Sequence, residues 1–178
     1  LNAQRWLLIG INIGQRVSDL LSLSPDNIRP AEGGLYIDLI QKKTDRLVTI
    51  GVGQDYVIDI LKHNFPYPVS NMLFNMHIKT LCKMAGISQM VKGFKMCCKT
   101  RRKKVGIYPK YSLMASHDLR RSFATNYFGE IPTPVLMKIT GHSKESTFLH
   151  YIGNQQSKDS YADIFINKVK SLSRVDFV

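Results

Sequence analysis

The chain has 178 residues, enough for one domain with a sizeable core, and its 44% hydrophobic content excludes a disordered basic tail. Twenty-five Lys and Arg face thirteen Asp and Glu, a net charge of +12, which favours a polyanionic partner, nucleic acid first. Three cysteines, two of them adjacent (Cys82, Cys97, Cys98), exclude a disulfide framework and a C-x-x-C zinc site, and predict reduced, buried thiols. No apolar run has the length of a membrane span, and no signal peptide opens the chain.

In chain order, residues 2–13 are apolar and free of breakers, and predict a buried helix with Gly14 as its C-cap. Arg16 to Leu23 predicts a second short helix, ended by the turn Ser24-Pro25-Asp26-Asn27. A stretch of β-formers with period two follows. Gly33-Gly34 reads as a turn, Leu35 to Gln41 as a strand, Lys43-Thr44-Asp45 as a turn and Leu47 to Val52 as a strand. Residues 54–63 are helical again, and the two prolines of Phe65-Pro66-Tyr67-Pro68 force a loop. Ser70 caps a helix running to Ala85, which Gly86 ends. Lys92 to Lys110 holds eight Lys or Arg in nineteen residues and reads as an extended, solvated hairpin or loop. Helices are expected at 117–128, 133–140, 144–151 and 158–170. The fold class is therefore mainly α with a small antiparallel sheet.

Four short motifs carry chemistry. His117 and Arg120 are three apart at a helix start, so they share a face. An arginine fork binds two phosphate oxygens at once, and a histidine beside it exchanges protons near neutral pH. Arg16 lies on another short helix, with Asp19 three positions on as the residue that holds it in place. Gly141-His142 puts an imidazole in a corner between two helices. Tyr151 follows nine residues later, about two and a half helical turns, so both can line one cleft.

In this order the motifs resemble the catalytic domain of the tyrosine recombinases, the phage integrase family. Gly14-Gln-Arg16-Val-Ser-Asp19-Leu-Leu-Ser-Leu23 is similar to the family's first-arginine box, and Ser116-His117-Asp-Leu-Arg120-Arg-Ser-Phe-Ala-Thr125 to its H-x-x-R box. Ile139-Thr-Gly-His142-Ser and Thr147-Phe-Leu-His-Tyr151 resemble the G-H box and the nucleophile segment. The resemblance covers residues 1–165 and looks closest to mobile-element integrases of Bacteroides-type bacteria. It implies the tyrosine recombinase (DNA breaking-rejoining) catalytic fold on residues 1–170, with 171–178 as a tail and a DNA-clamping domain outside this chain.

It implies roles as well. Arg16 and Arg120 bind the non-bridging oxygens of the scissile phosphate, and Tyr151 attacks to form a 3′-phosphotyrosine. His117 accepts the tyrosine proton or stabilises that step, and His142 hydrogen-bonds the phosphate. Lys43 protonates the leaving 5′ oxygen, with Lys42 the alternative beside it. No cofactor or metal is expected, because the arginines supply the positive charge. The partners are double-stranded DNA, a tetramer on DNA through the C-terminal helix (Tyr161, Ile164, Phe165, Val169), and accessory DNA-bending proteins. The setting is the bacterial cytoplasm, at the nucleoid. Arg101, Arg102, Lys103 and Lys104 are DNA-backbone candidates. Two other readings stand beside this one: a type IB topoisomerase, and an integrase-like fold kept for DNA binding without cleavage.

Overall fold

The computed structural model describes residues 1–97, 100, 102–153 and 158–171; within the last segment it describes no side chains for 158–161, 164 and 171. Helix α1 (Asn2–Ile13) buries Trp6, Ile9 and Ile13, the three- and four-residue spacing of one helical face. Gly14 ends it at φ 64°, and its N–H returns to the Gly10 carbonyl. A side chain at Gly14 would be strained by that backbone and would overlap the Phe123 ring.

Helix α2 is shorter than expected, Val17–Leu20, with Arg16 as its extended N-cap. Beyond it the ladder tightens to three-residue bonds, Ser22 N–H to the Asp19 carbonyl and Leu23 N–H to that of Leu20, and the Ser22 hydroxyl also donates to the Asp19 carbonyl at 3.0 Å. A turn of 3₁₀ helix over Pro25–Asn27 then leads into a three-stranded antiparallel sheet of β1 (Ile28–Ala31), β2 (Gly34–Gln41) and β3 (Arg46–Val52). β1 is absent from the sequence reading. It has four residues and contains Pro30, which an edge strand tolerates and a central one does not. In the β2–β3 register Leu35 faces Val52 and Gln41 faces Arg46. The inward row is therefore Leu35, Ile37, Leu39 and Gln41 against Val48, Ile50 and Val52.

Helices α3 (Asp55–His63) and α4 (Asn71–Met84) close the main core over the sheet and α1. The Ser70 hydroxyl caps α4 by accepting from the Leu73 N–H at 3.2 Å. The basic segment is a two-stranded antiparallel hairpin, β4 (Met90–Met96) with β5 (Lys103–Pro109). Cys82 is buried as expected, Cys97 is only half-buried, and Cys98 lies outside the described residues. Helices α5 (Ser116–Tyr127), α6 (Thr133–Thr140) and α7 (Glu145–Ile152) build a second, smaller core from Phe123, Ala124, Leu136 and Phe148. Ile139 packs against both cores. Helix α8 (Lys158–Ser171) leaves Phe165, Ile166 and Val169 exposed. No helix among the described residues is long and apolar enough to cross a membrane.

Candidate active site

Arg120 joins the separate motifs. It sits one turn into α5, 3% exposed, and its fork spans two helix ends. Nη1 donates to the Gly14 carbonyl at 3.1 Å, and Nη2 donates to the Thr140 carbonyl. Gly14 closes α1 and Thr140 closes α6, so both acceptors belong to the carbonyls that a helix C-terminus leaves unpaired. Burial and the neighbouring Arg16 charge lower the Arg120 pKa to about 10, which still leaves it protonated at neutral pH. Arg120 is buried and, among the described residues, forms no ion pair; the ion pair there joins Arg29 and Asp38.

Arg16 is close enough to Arg120 to repel it, and Arg16 Nη1 is buried without a hydrogen-bond partner among the described residues. Two guanidiniums held together are costly unless an anion lies between them. The expected Arg16–Asp19 ion pair does not form. Asp19, 1% exposed, turns towards the β2–β3 hairpin, where its Oδ1 accepts the Lys42 N–H at 3.1 Å. The three-residue spacing is that of neighbours on a helix, but Arg16 is the extended N-cap rather than a helical residue, so the spacing does not bring the two together.

His117, His142 and Tyr151 converge. The Tyr151 ring centroid is 5.1 Å from that of His117 and 5.0 Å from that of His142. The tyrosine hydroxyl points at the His117 carbonyl, 3.5 Å away, and Arg121 donates to the Tyr151 carbonyl at 2.9 Å. Burial raises the phenol pKa, while the Arg120 and Arg121 charges oppose the rise. The net result is a neutral phenol, which needs a base to become a nucleophile. Burial, then Arg120, lowers the His117 pKa, so a neutral imidazole is available beside it.

Gly141, at φ 65°, closes α6 and turns the chain so that His142 enters the same corner. The Thr140 hydroxyl donates to the Leu136 carbonyl at 2.6 Å, so it can only accept from His142 Nδ1, 2.8 Å away. The proton of neutral His142 is therefore on Nδ1, and Nε2 carries the lone pair. Burial, then Arg120, Arg16 and His117, push this imidazole from 6.5 down to about 4.

A folded-state pKa below the unfolded one means that the unfolded chain binds more protons in between. The stabilisation from neutral His142 is complete above about 6.5 and is lost as the pH falls towards about 4. Urea unfolding across that window is expected to show stability falling with acid more steeply in the native protein than in His142→Gln. Equal slopes would contradict the shift.

Lys42 and Lys43 are both exposed on the β2–β3 turn, and neither side chain has a partner among the described residues. Arg102, Lys103 and Lys104 are exposed at the start of β5 and the turn before it; Arg101 lies outside the described residues. No group of three or more His, Cys, Asp or Glu is placed to hold a metal among the described residues.

Two buried polar residues of this region were not expected from sequence. Gln15 and Gln41 are 2% and 0% exposed and bond to each other at 2.8 Å. For Gln41 one signal existed: it continues the inward apolar row of β2 with an amide. Gln15, between Gly14 and Arg16, carried none.

The model of the phage integrase family matches residues 3–158. No curated protein matches the chain by sequence. Among solved structures, XerH site-specific recombinase bound to difH in a pre-cleavage complex is 16% identical with TM-score 0.61, over 90% of this chain and 45% of its own. A lambda integrase dimer bound to a COC′ core site is 18% identical with TM-score 0.60, over 88% and 54%. The Tn1549 transposon integrase in complex with circular intermediate DNA is 17% identical with TM-score 0.57, over 89% and 55%. This chain thus spans about half the length of these similar chains and shares their fold.

Proposed function

Since the chain belongs to the phage integrase family, we propose that it is the catalytic part of a site-specific tyrosine recombinase acting on double-stranded DNA for a mobile element. The observation that carries this is the gathering of Arg120, His117 and His142 around Tyr151, a neutral phenol, with Arg16 close to Arg120 and to both histidines.

The chemistry follows from that arrangement. A scissile phosphate placed between Arg16 and Arg120 has its non-bridging oxygens neutralised, and the further charge of the pentavalent transition state is stabilised. Tyr151 Oη attacks phosphorus, and its proton passes to His117. The bond to the 5′ oxygen breaks as Lys43, or Lys42 beside it, delivers a proton to that oxygen. The products are a 3′-phosphotyrosine and a free 5′-hydroxyl. His142, protonated from solvent at Nε2 in the field of the anion, keeps that proton and donates it as an N–H hydrogen bond to a phosphate oxygen. Attack by a 5′-hydroxyl from a second strand reverses the steps and joins the new strands. Asp19 acts here on the lysine turn, through the Lys42 N–H.

In this proposal residues 1–170 form the catalytic domain and 171–178 a tail. Helix α8 docks on a neighbouring subunit of a tetramer assembled on DNA; of Tyr161, Ile164, Phe165 and Val169, the last two are exposed, and the side chains of the first two lie outside the described residues. A clamping domain and accessory DNA-bending proteins come from outside these residues, and the work is done at the bacterial nucleoid.

The test is covalent capture. A nicked duplex built from the ends of the element is incubated with the full-length protein and run on a denaturing gel. A protein–DNA adduct supports the recombinase reading. Firm binding without an adduct favours a DNA-binding module, and relaxation of supercoils without a specific site favours a type IB topoisomerase.

The basic hairpin gives a separate expectation. Replacing Arg102, Lys103 and Lys104 together by Gln weakens binding uniformly across DNA sequences. It also lowers the slope of log affinity against log salt by about 2 to 3, the loss of roughly 0.9 per phosphate contact. Filter binding over a salt series measures it; an unchanged slope removes the hairpin from the DNA interface.

A further inference from the structure

The geometry points to Gln41 as a positioning residue that clamps the lysine-bearing β2–β3 turn onto the segment carrying His142, with Gln15 as its partner. Gln41 Nε2 donates to Gln15 Oε1 at 2.8 Å and to the Ile139 carbonyl at 3.0 Å. Gln15 Nε2 donates to the Ile13 carbonyl at 3.1 Å and to the same Ile139 carbonyl at 2.8 Å. Gln41 Oε1 accepts the Thr44 hydroxyl at 2.9 Å. All four amide N–H groups and both amide oxygens are used, so the buried cost of two amides is offset within the cluster.

Each end of the cluster is a different catalytic segment. Ile13 and Gln15 flank Gly14 and lead into Arg16. Ile139 precedes Thr140-Gly141-His142. Thr44 lies in the turn with Lys42 and Lys43, and the Gln41 carbonyl accepts the Thr44 and Asp45 N–H groups at 3.1 and 2.8 Å. A side chain at Gly141 would overlap Gln41 Oε1, so the G-H segment sits directly against this amide.

An apolar residue at 41 would continue the inward row of β2 equally well for burial. What the amide adds is register. Side chains alternate along a strand, so a slip by one residue sends Gln41 outward and Lys42 inward and re-aims the turn. Three directed hydrogen bonds from the Gln41 side chain oppose that slip. A buried, fully satisfied polar network specifies one arrangement in this way. Gln41 touches none of the reacting atoms. It acts through the lysine that protonates the leaving oxygen.

This inference rests on the proposed recombinase chemistry, and the test separates the two. Two nicked duplexes are compared in the full-length protein: one with the ordinary phosphodiester, and one with sulfur replacing the bridging 5′ oxygen at the cleavage position mapped from the first. A thiolate leaves without a proton, because thiols are far stronger acids than alcohols (a thiol pKa is about 8.5). In Gln41→Met adduct formation is expected to slow by about tenfold to a hundredfold on the oxygen duplex. On the sulfur duplex it returns to within about threefold of the native rate. Thr44→Val, which removes only the turn's hydrogen bond to the Gln41 side chain, is expected to show the same selective rescue, as is the alanine variant of whichever of Lys42 and Lys43 is the acid.

Equal slowing on both duplexes would make Gln41 merely structural, and no slowing would make it dispensable; either overturns the inference. Rescue of neither lysine variant overturns it as well. If the native protein forms no adduct on either duplex, the recombinase reading itself falls and takes this one with it.

Discussion

Tyr151→Phe is expected to abolish the covalent protein–DNA adduct and to leave the DNA bound. The substitution removes one oxygen. The ring keeps its packing against His117 and His142 and its place under Arg121, 5.6 Å from the guanidinium carbon. The hydroxyl makes a long contact, 3.5 Å to the His117 carbonyl, and interacts with the Arg120 guanidinium, so its loss costs on the order of 1 to 2 kcal/mol. A phenyl ring has no lone pair to give to phosphorus, so the chemical step is lost entirely. Denaturing gels read the adduct, mobility shifts read the binding, and thermal melts exclude misfolding. Persistence of an adduct in the phenylalanine variant would put the nucleophile on another residue.

Arg120→Ala is expected to damage both stability and chemistry. The guanidinium satisfies the Gly14 and Thr140 carbonyls in a buried place, and its removal strands both acceptors. A buried carbonyl without a donor costs about 1 to 3 kcal/mol, so a net destabilisation of about 2 to 4 kcal/mol follows, reduced somewhat because Arg16 loses a repelling neighbour. Catalysis falls by about a thousandfold or more, since each donor aimed at developing charge contributes roughly a hundredfold to a thousandfold. Arg120→Lys separates the effects. It keeps the charge, but a single ammonium cannot replace the planar fork on two carbonyls, so adduct formation still falls by about a hundredfold while more of the stability is retained. Urea unfolding and single-turnover adduct formation measure the two losses. A lysine variant with native rates would mean that Arg120 acts only as a charge.

The helices were legible in sequence because their ends are marked by chemistry. Gly14 and Gly141 take the left-handed backbone at helix ends, and the Ser70 hydroxyl caps α4. The strands β2 and β3 were legible from alternation. The edge strand β1 was not, because four residues with a proline carry no period. The motif residues converged as the spacing implied: His142 and Tyr151, nine apart in sequence, meet across one helix. The Arg16–Asp19 pair was misread, since neighbour rules for helices fail at an N-cap. The Gln15–Gln41 bond escaped entirely. It joins residues 26 apart in sequence, and a lone glutamine looks the same whether solvated or buried.

The anchors of this centre have a consequence for how the chain can drift. Arg120 holds the Gly14 and Thr140 carbonyls, and both glutamines hold that of Ile139. Main-chain oxygens are supplied by every amino acid. Side chains around the centre can therefore turn over without removing its points of attachment, provided the two helix ends stay where they are. Divergence is free to retune the exposed surface while the frame that holds the converging side chains persists.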